Sequence, residues 1–141
     1  MSKTPDLERA KHSLQCVIQV KGDPTVPNDK YLSYAESFPA SILMNGLGQA
    51  AATLLSAAKG EENDPHRVLY DHLQDWLLNQ CESSPYYRSG NNGLIEAIIR
   101  GTKADYQKAQ VEALKWLEWL KKFARAYLSE PKSDTPTNKG E

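Results

Sequence analysis

No run of about eighteen apolar residues occurs anywhere in this 141-residue chain, so no membrane-spanning helix is expected. Its opening residues, MSKTPDLERAKHS, also lack the apolar stretch of a secretory signal. A soluble, cytoplasmic protein is therefore expected. Cysteine is scarce, with only Cys16 and Cys81 present, which excludes a disulfide framework and any CxxC metal knuckle. One disulfide is arithmetically open, but each cysteine sits among apolar neighbours in a helical pattern, and two core thiols are the preferred reading. An excess of one charge is missing as well. Seventeen Lys and Arg face eighteen Asp and Glu, a net charge of -1, so the whole molecule offers no field that selects a polyanion.

Motifs that carry chemistry are absent too. There is no HExxH, no GxGxxG after a strand, no GxxxxGK[ST], and no strained elbow that would expose a nucleophile. Of the three histidines, His72 lies three residues before Asp75, with Asp71 on the same face. A metal site needs one or two further ligands from elsewhere, and this cluster reads as a solvated helix face. The expectation is a protein with no catalytic residue, no metal and no cofactor. No segment alternates with period two, so no half-buried strand is expected.

What is there is helix. Thr4-Pro5 places a proline at the first helical position, and Leu7, Ala10, Leu14, Val17 and Ile18 then carry a 3.6-residue period to Gly22. DPTVPND is a loop, and a second helix starts near Asn28. Pro39 either kinks that helix or begins another. The chain breaks at Asn45-Gly46, and a new helix with many small residues runs to Ala58. Asp64-Pro65 opens the next, which continues to about Glu82. SSPYYRSGNNG is a loop, and Leu94–Arg100 is a short helix stopped by Gly101. The fold class is all-α, a single compact bundle of about six helices over residues 1–129. Residues 130–141, EPKSDTPTNKGE, hold no large apolar side chain and are expected to form a mobile tail unless a partner holds them.

Residues 102–128 form the longest helix, opened by the Thr102/Asp105 spacing of a capping box. At about 100° per residue, Tyr106, Ala109, Ala113, Trp116, Leu117, Leu120, Phe123, Ala124, Tyr127 and Leu128 share a core-facing arc. Lys108, Lys115 and Lys122 recur every seven residues on the other side, with Arg125 close by. These side chains suit phosphate contact, and they equally suit an ordinary charged helix exterior. Trp119 projects from the outer face, where an aromatic meets another subunit or a ligand, or lies under a neighbouring loop. Arg88 stands in a loop with Tyr86, Tyr87, Asn91 and Asn92, a mixture that serves single-stranded nucleic acid, a protein neighbour or a loop cap. Asn45 and Gln49 read first as amides satisfying helix-terminal backbone.

NGLGQAAATLL (Asn45–Leu55), preceded by YLSYAESFPASILM and followed by YQKAQVEALKWLEWLKKFARAYL (Tyr106–Leu128), resembles the small helical subunit of the type III-B CRISPR–Cas RNA-silencing complex, the Cmr complex. The resemblance spans about residues 5–128. It implies a non-catalytic scaffold whose copies stack into a minor filament beside a larger, repeated backbone subunit. Together they form a groove for the pairing of CRISPR RNA with target RNA. Implied partners are the large subunit, the backbone subunit, further copies of the chain, and both RNAs. Lys121, Lys122 and Arg125 match the family's basic positions, while Asn45, Gly46 and Gln49 match its most distinctive element.

The expected mechanism is geometric, with Lys108, Lys115, Lys121, Lys122, Arg125 and Arg88 meeting RNA backbone without reading sequence. Asn45, Gly46, Gln49 and Trp119 would serve structure and subunit contact. Two other readings compete. A protein-binding adaptor would use Trp119 and the small-residue helix without touching RNA. A helix-turn-helix regulator would need a basic recognition helix, and Gly46–Ala58 has no charge at all.

Overall fold

The computed structural model describes residues 4–130, and all but the first residue of the tail expected over 130–141 lies outside them. Six α-helices follow in order: α1 (Pro5–Lys21), α2 (Asn28–Asn45), α3 (Leu47–Ala58), α4 (Pro65–Asp75), α5 (Leu94–Arg100) and α6 (Lys103–Leu128). A single π-helical stretch, Trp76–Gln80, prolongs α4, and no strand occurs among the described residues. The all-α expectation holds.

The helix α6 is 26 residues long, about 39 Å at 1.5 Å per residue, and forms the spine of the bundle. Its first turn is closed by the capping box: the Asp105 N–H donates to Thr102 Oγ1 at 3.0 Å, and the Thr102 N–H to Asp105 Oδ2 at 3.4 Å. Ala109, Ala113, Trp116, Leu117, Leu120, Ala124 and Leu128 are buried, as the periodicity requires. The helices α1 and α2 pack along α6, while α3 packs on α2 and α4. Pairs at Arg9–Glu112, His12–Trp116 and Lys21–Tyr127 advance together, so α1 runs in the same direction as α6. Pro39 lies inside one helix and starts no new one. Both cysteines are buried and free, as core thiols.

The phase of α1 departs from the apolar period. Leu7 and Ile18 are 61% and 55% exposed and Leu14 is half-buried, while Arg9, His12, Ser13, Cys16, Val17 and Val20 face inward. The helix is rotated by roughly a third of a turn from the arc its aliphatic residues define. The cause is a buried polar network. Arg9 Nε and Nη2 donate to the two Glu112 carboxylate oxygens at 2.7 and 2.9 Å, and Trp76 Nε1 donates to Glu112 Oε2 at 3.0 Å. Trp116 Nε1 donates to His12 Nδ1 at 2.9 Å, which leaves the Nε2–H of His12 to donate to Asp75 Oδ2 at 2.9 Å. Charge-assisted and bidentate bonds of this kind satisfy groups that are otherwise costly to bury.

His72 corrects a second expectation. It is buried, not solvated, and lies between Tyr31, whose hydroxyl donates to Nδ1 at 2.8 Å, and Gln19 Oε1, which accepts from Nε2 at 3.0 Å. Burial lowers its pKa from 6.5 to about 4 and keeps the ring neutral. On α6 the last two turns also depart from the core arc, since Phe123 is half-buried and Tyr127 is exposed beneath Lys21.

Candidate functional site

The break between α2 and α3 is built around one glycine. Gly46 has φ 86° and ψ 157°, a combination essentially restricted to glycine, and it turns the chain from the end of α2 into α3. A β-carbon there would stand 2.7 Å from the Tyr106 hydroxyl. The first N–H groups of α3 lack intrahelical partners, and α6 supplies them: Leu47 N–H donates to Gln110 Oε1 at 3.0 Å and Gly48 N–H to the Tyr106 hydroxyl at 2.9 Å. Tyr106 and Gln110 thus do the backbone-satisfying work expected of Asn45 and Gln49. Asn45 and Gln49 are both exposed, Asn45 at the end of α2 and Gln49 on the rim of a groove.

That groove, about 580 Å³, lies between α3, α5 and the start of α6, and Ala52, Ile95, Ile98, Ile99 and Tyr106 give it an apolar lining. Ile99 is 75% exposed, and Leu43 and Met44 stand exposed at the end of α2.

On α6 the basic side chains divide by environment. Lys121 Nζ lies 3.2 Å from Glu118 Oε2 in an i,i+3 pair. Arg125 donates through Nε to Glu36 Oε2 at 2.7 Å and through Nη2 to the same oxygen, tying α6 to α2. Lys108, Lys115 and Lys122 are exposed and have no ion-pair partner among the described residues. Each is seven residues from the next, about 10.5 Å along the helix and nearly in line.

Trp119 is half-buried and held in place. Its indole N–H donates to Asp6 Oδ1 at 3.0 Å, and its ring stacks on Phe123 with centroids 5.7 Å apart and planes inclined by 26°. Asp6, Lys115, Glu118, Trp119 and Lys122 line a shallow pocket of about 270 Å³. The Asp6 contact had no signal in the sequence, because it spans 113 positions.

Arg88 lies apart from this face, in the loop after the π-helical stretch. Its backbone has φ 51°, its N–H donates to the Leu78 carbonyl at 2.8 Å, and its guanidinium lies 5.2 Å from the Tyr87 ring centroid. Among the described residues no group of three or more His, Cys, Asp or Glu side chains is arranged to hold a metal ion. No helix among them is long and apolar enough to cross a membrane.

The class is thus an all-α bundle with a glycine-broken helix pair and exposed lysines along its longest helix. The family model described as "CRISPR-associated protein (Cas_Cmr5)" matches residues 6–127, and the chain belongs to that family. It is similar to the "CRISPR system Cmr subunit Cmr5" of Thermotoga maritima, with 26% identity over 136 residues, covering 94% of this chain and 92% of the relative. The resemblance carried by the NGLGQ element and the terminal helix is thereby a family relationship.

Proposed function

We propose that this chain is the non-catalytic small scaffold subunit of a type III-B CRISPR RNA-guided complex. Its copies stack into a minor filament, and its α6 face meets the backbone of guide and target RNA without sequence preference. Family membership, and a relative named as a Cmr subunit, support a place in such a complex. The observation that carries the RNA reading is the row of Lys108, Lys115 and Lys122, three ammonium groups without an ion-pair contact among the described residues, at two-turn intervals on one exposed helix face. Cations free of carboxylate partners lose little when they exchange water for phosphate, and affinity comes from the counterions released.

Lys121, Arg125 and Arg88 belong to the same proposal in a secondary role. Lys121 and Arg125 would reach phosphate only by leaving Glu118 and Glu36. The apolar groove with Gln49 on its rim, and the exposed Asn45 nearby in sequence, fit contacts with neighbouring subunits.

Lysine acetylation of the assembled complex, with and without RNA, tests this. Lys108, Lys115 and Lys122 should be protected by RNA, while Lys30 on α2 and Lys59 just after α3, both exposed, should react equally in both. Equal reactivity of all five would leave α6 as scaffold only and favour the protein-binding adaptor.

A further inference from the structure

We propose that Trp119 is a stacking platform for one unpaired nucleotide of a single-stranded RNA, with Lys115 and Lys122 holding the phosphates on either side. This rests on the reading of α6 as an RNA-facing helix. Lys115, Trp119 and Lys122 are separated by four and three residues, which places them within an arc of about 60°, with Trp119 between the two lysines along the helix axis and at one edge of that arc. All three line the same pocket of about 270 Å³.

The two acidic groups of that pocket are already engaged. Asp6 Oδ1 accepts from the Trp119 indole at 3.0 Å and from Arg9 Nη1 at 3.1 Å, and Glu118 lies 3.2 Å from Lys121 Nζ. Lys115 and Lys122 have no such partner among the described residues. The indole is locked at its edge by Asp6 and backed by Phe123, so it loses little freedom when a base lies on it.

An aromatic face flanked along the helix by two cations with no ion-pair contact among the described residues is a combination that holds single strands without reading sequence, because every base has a π-face and every linkage an anion. Apart from Trp119, every side chain lining the pocket is charged. Such a rim is poor lining for a protein interface core, where Lys, Glu and Asp are depleted. Bases inside a duplex already stack on one another, so the platform selects an unpaired position.

Intrinsic fluorescence of the full chain tests the proposal, because Trp76 is 3% exposed and Trp116 fully buried, leaving Trp119 as the one tryptophan open to a base. The probes are single-stranded oligoadenylate and the same strand paired with oligouridylate, at low salt. Single strands should quench the emission and the duplex should not. Trp119→Leu should abolish the quenching and weaken single-strand binding by about five- to a hundred-fold, with the salt slope unchanged. Trp119→Phe, which keeps a ring, should bind within a few fold of the parent. Helical circular dichroism identifies any variant that has lost its fold.

Lys115→Gln with Lys122→Gln should lower the log–log salt slope by about 1.4. If the lysine pair lowers the slope while Trp119→Leu keeps the RNA-dependent quenching and the affinity of the parent, stacking is overturned and the phosphate-binding face stands. If neither variant alters RNA binding, both fall. Loss of self-association in Trp119→Leu, with no RNA-dependent quenching in the parent, would overturn the proposal in favour of a protein contact.

Discussion

The Tyr106 hydroxyl accepts the Gly48 backbone N–H at 2.9 Å and lies where a β-carbon on Gly46 would have to go, 2.7 Å away. The sharp turn between α2 and α3 is therefore tied to the start of α6 through one phenol. Gly46→Ala should destabilise the fold by about 1–3 kcal/mol, from the backbone conformation together with the clash. Tyr106→Phe leaves the Gly48 N–H without its partner and should cost about 1–3 kcal/mol. Denaturant unfolding checks both, and a Gly46→Ala protein as stable as the parent would contradict the geometry.

Glu112 is buried with two charge-assisted bonds from Arg9 and one from the Trp76 indole. Arg9→Ala strands a buried carboxylate and should cost about 3–5 kcal/mol. The double change Arg9→Met with Glu112→Gln should recover part of that loss, because the buried charge is gone while the amide oxygen still accepts from the Trp76 indole. A double variant worse than Arg9→Ala would show that the pair itself contributes net stability.

Leu120 is fully buried at the centre of α6. Leu120→Ala should cost about 2–5 kcal/mol through lost transfer and the cavity left behind. Thermal unfolding reads this directly.

Stability should fall with pH through the histidine range. Burial lowers the His72 pKa to about 4, so the unfolded chain takes up a proton near 6.5 while the folded chain does not. The full contribution is present above about pH 6.5 and is lost progressively as pH falls to about 4, at up to about 1.4 kcal/mol per pH unit. The groups facing His72 are Tyr31, Gln19, His12 and Asp75. His12 is shifted down by burial, the effect of Asp75 opposing it, and adds loss of the same sign. Asp75, held below the usual carboxylate range by Asn79 and His12 against its own desolvation, extends the loss to lower pH. Denaturant midpoints from pH 7 to pH 4 check this, and His72→Gln should flatten the dependence.

Local signals were legible wherever the partners are close in sequence. The Thr102/Asp105 capping box and the Asp64-Pro65 start needed only neighbouring residues to be read, and Asp64 Oδ1 accepts the His66 N–H at 2.8 Å as a cap should. The Gly46 break was legible because the composition changes abruptly after it. The phase of α1 was not, because Arg9 and His12 are drawn inward by Glu112 and Trp116, 103 and 104 positions away. The apolar period of α1 described a stripe that stays in solvent at Leu7 and Ile18.

The candidate site divides in the same way. The spacing of Lys108, Lys115 and Lys122 gave their common face directly. The pairing of Arg125 with Glu36 required the packing of α2 on α6, which no local pattern encodes. Gln110 and Tyr106 escaped notice as partners of the NGLG turn, since a tyrosine on a core arc gives no sign of what its hydroxyl will hold.

Binding of RNA backbone by the exposed lysine row of α6 is the proposal on which the function rests. Affinity for single-stranded RNA across a salt series, compared between the parent and Lys108→Gln/Lys115→Gln/Lys122→Gln, tests it most directly. The variant should keep its helix content, bind more weakly at low salt, and show a log–log slope lower by about 2, since each lost phosphate contact removes roughly 0.7. An unchanged affinity with an unchanged slope would contradict the account.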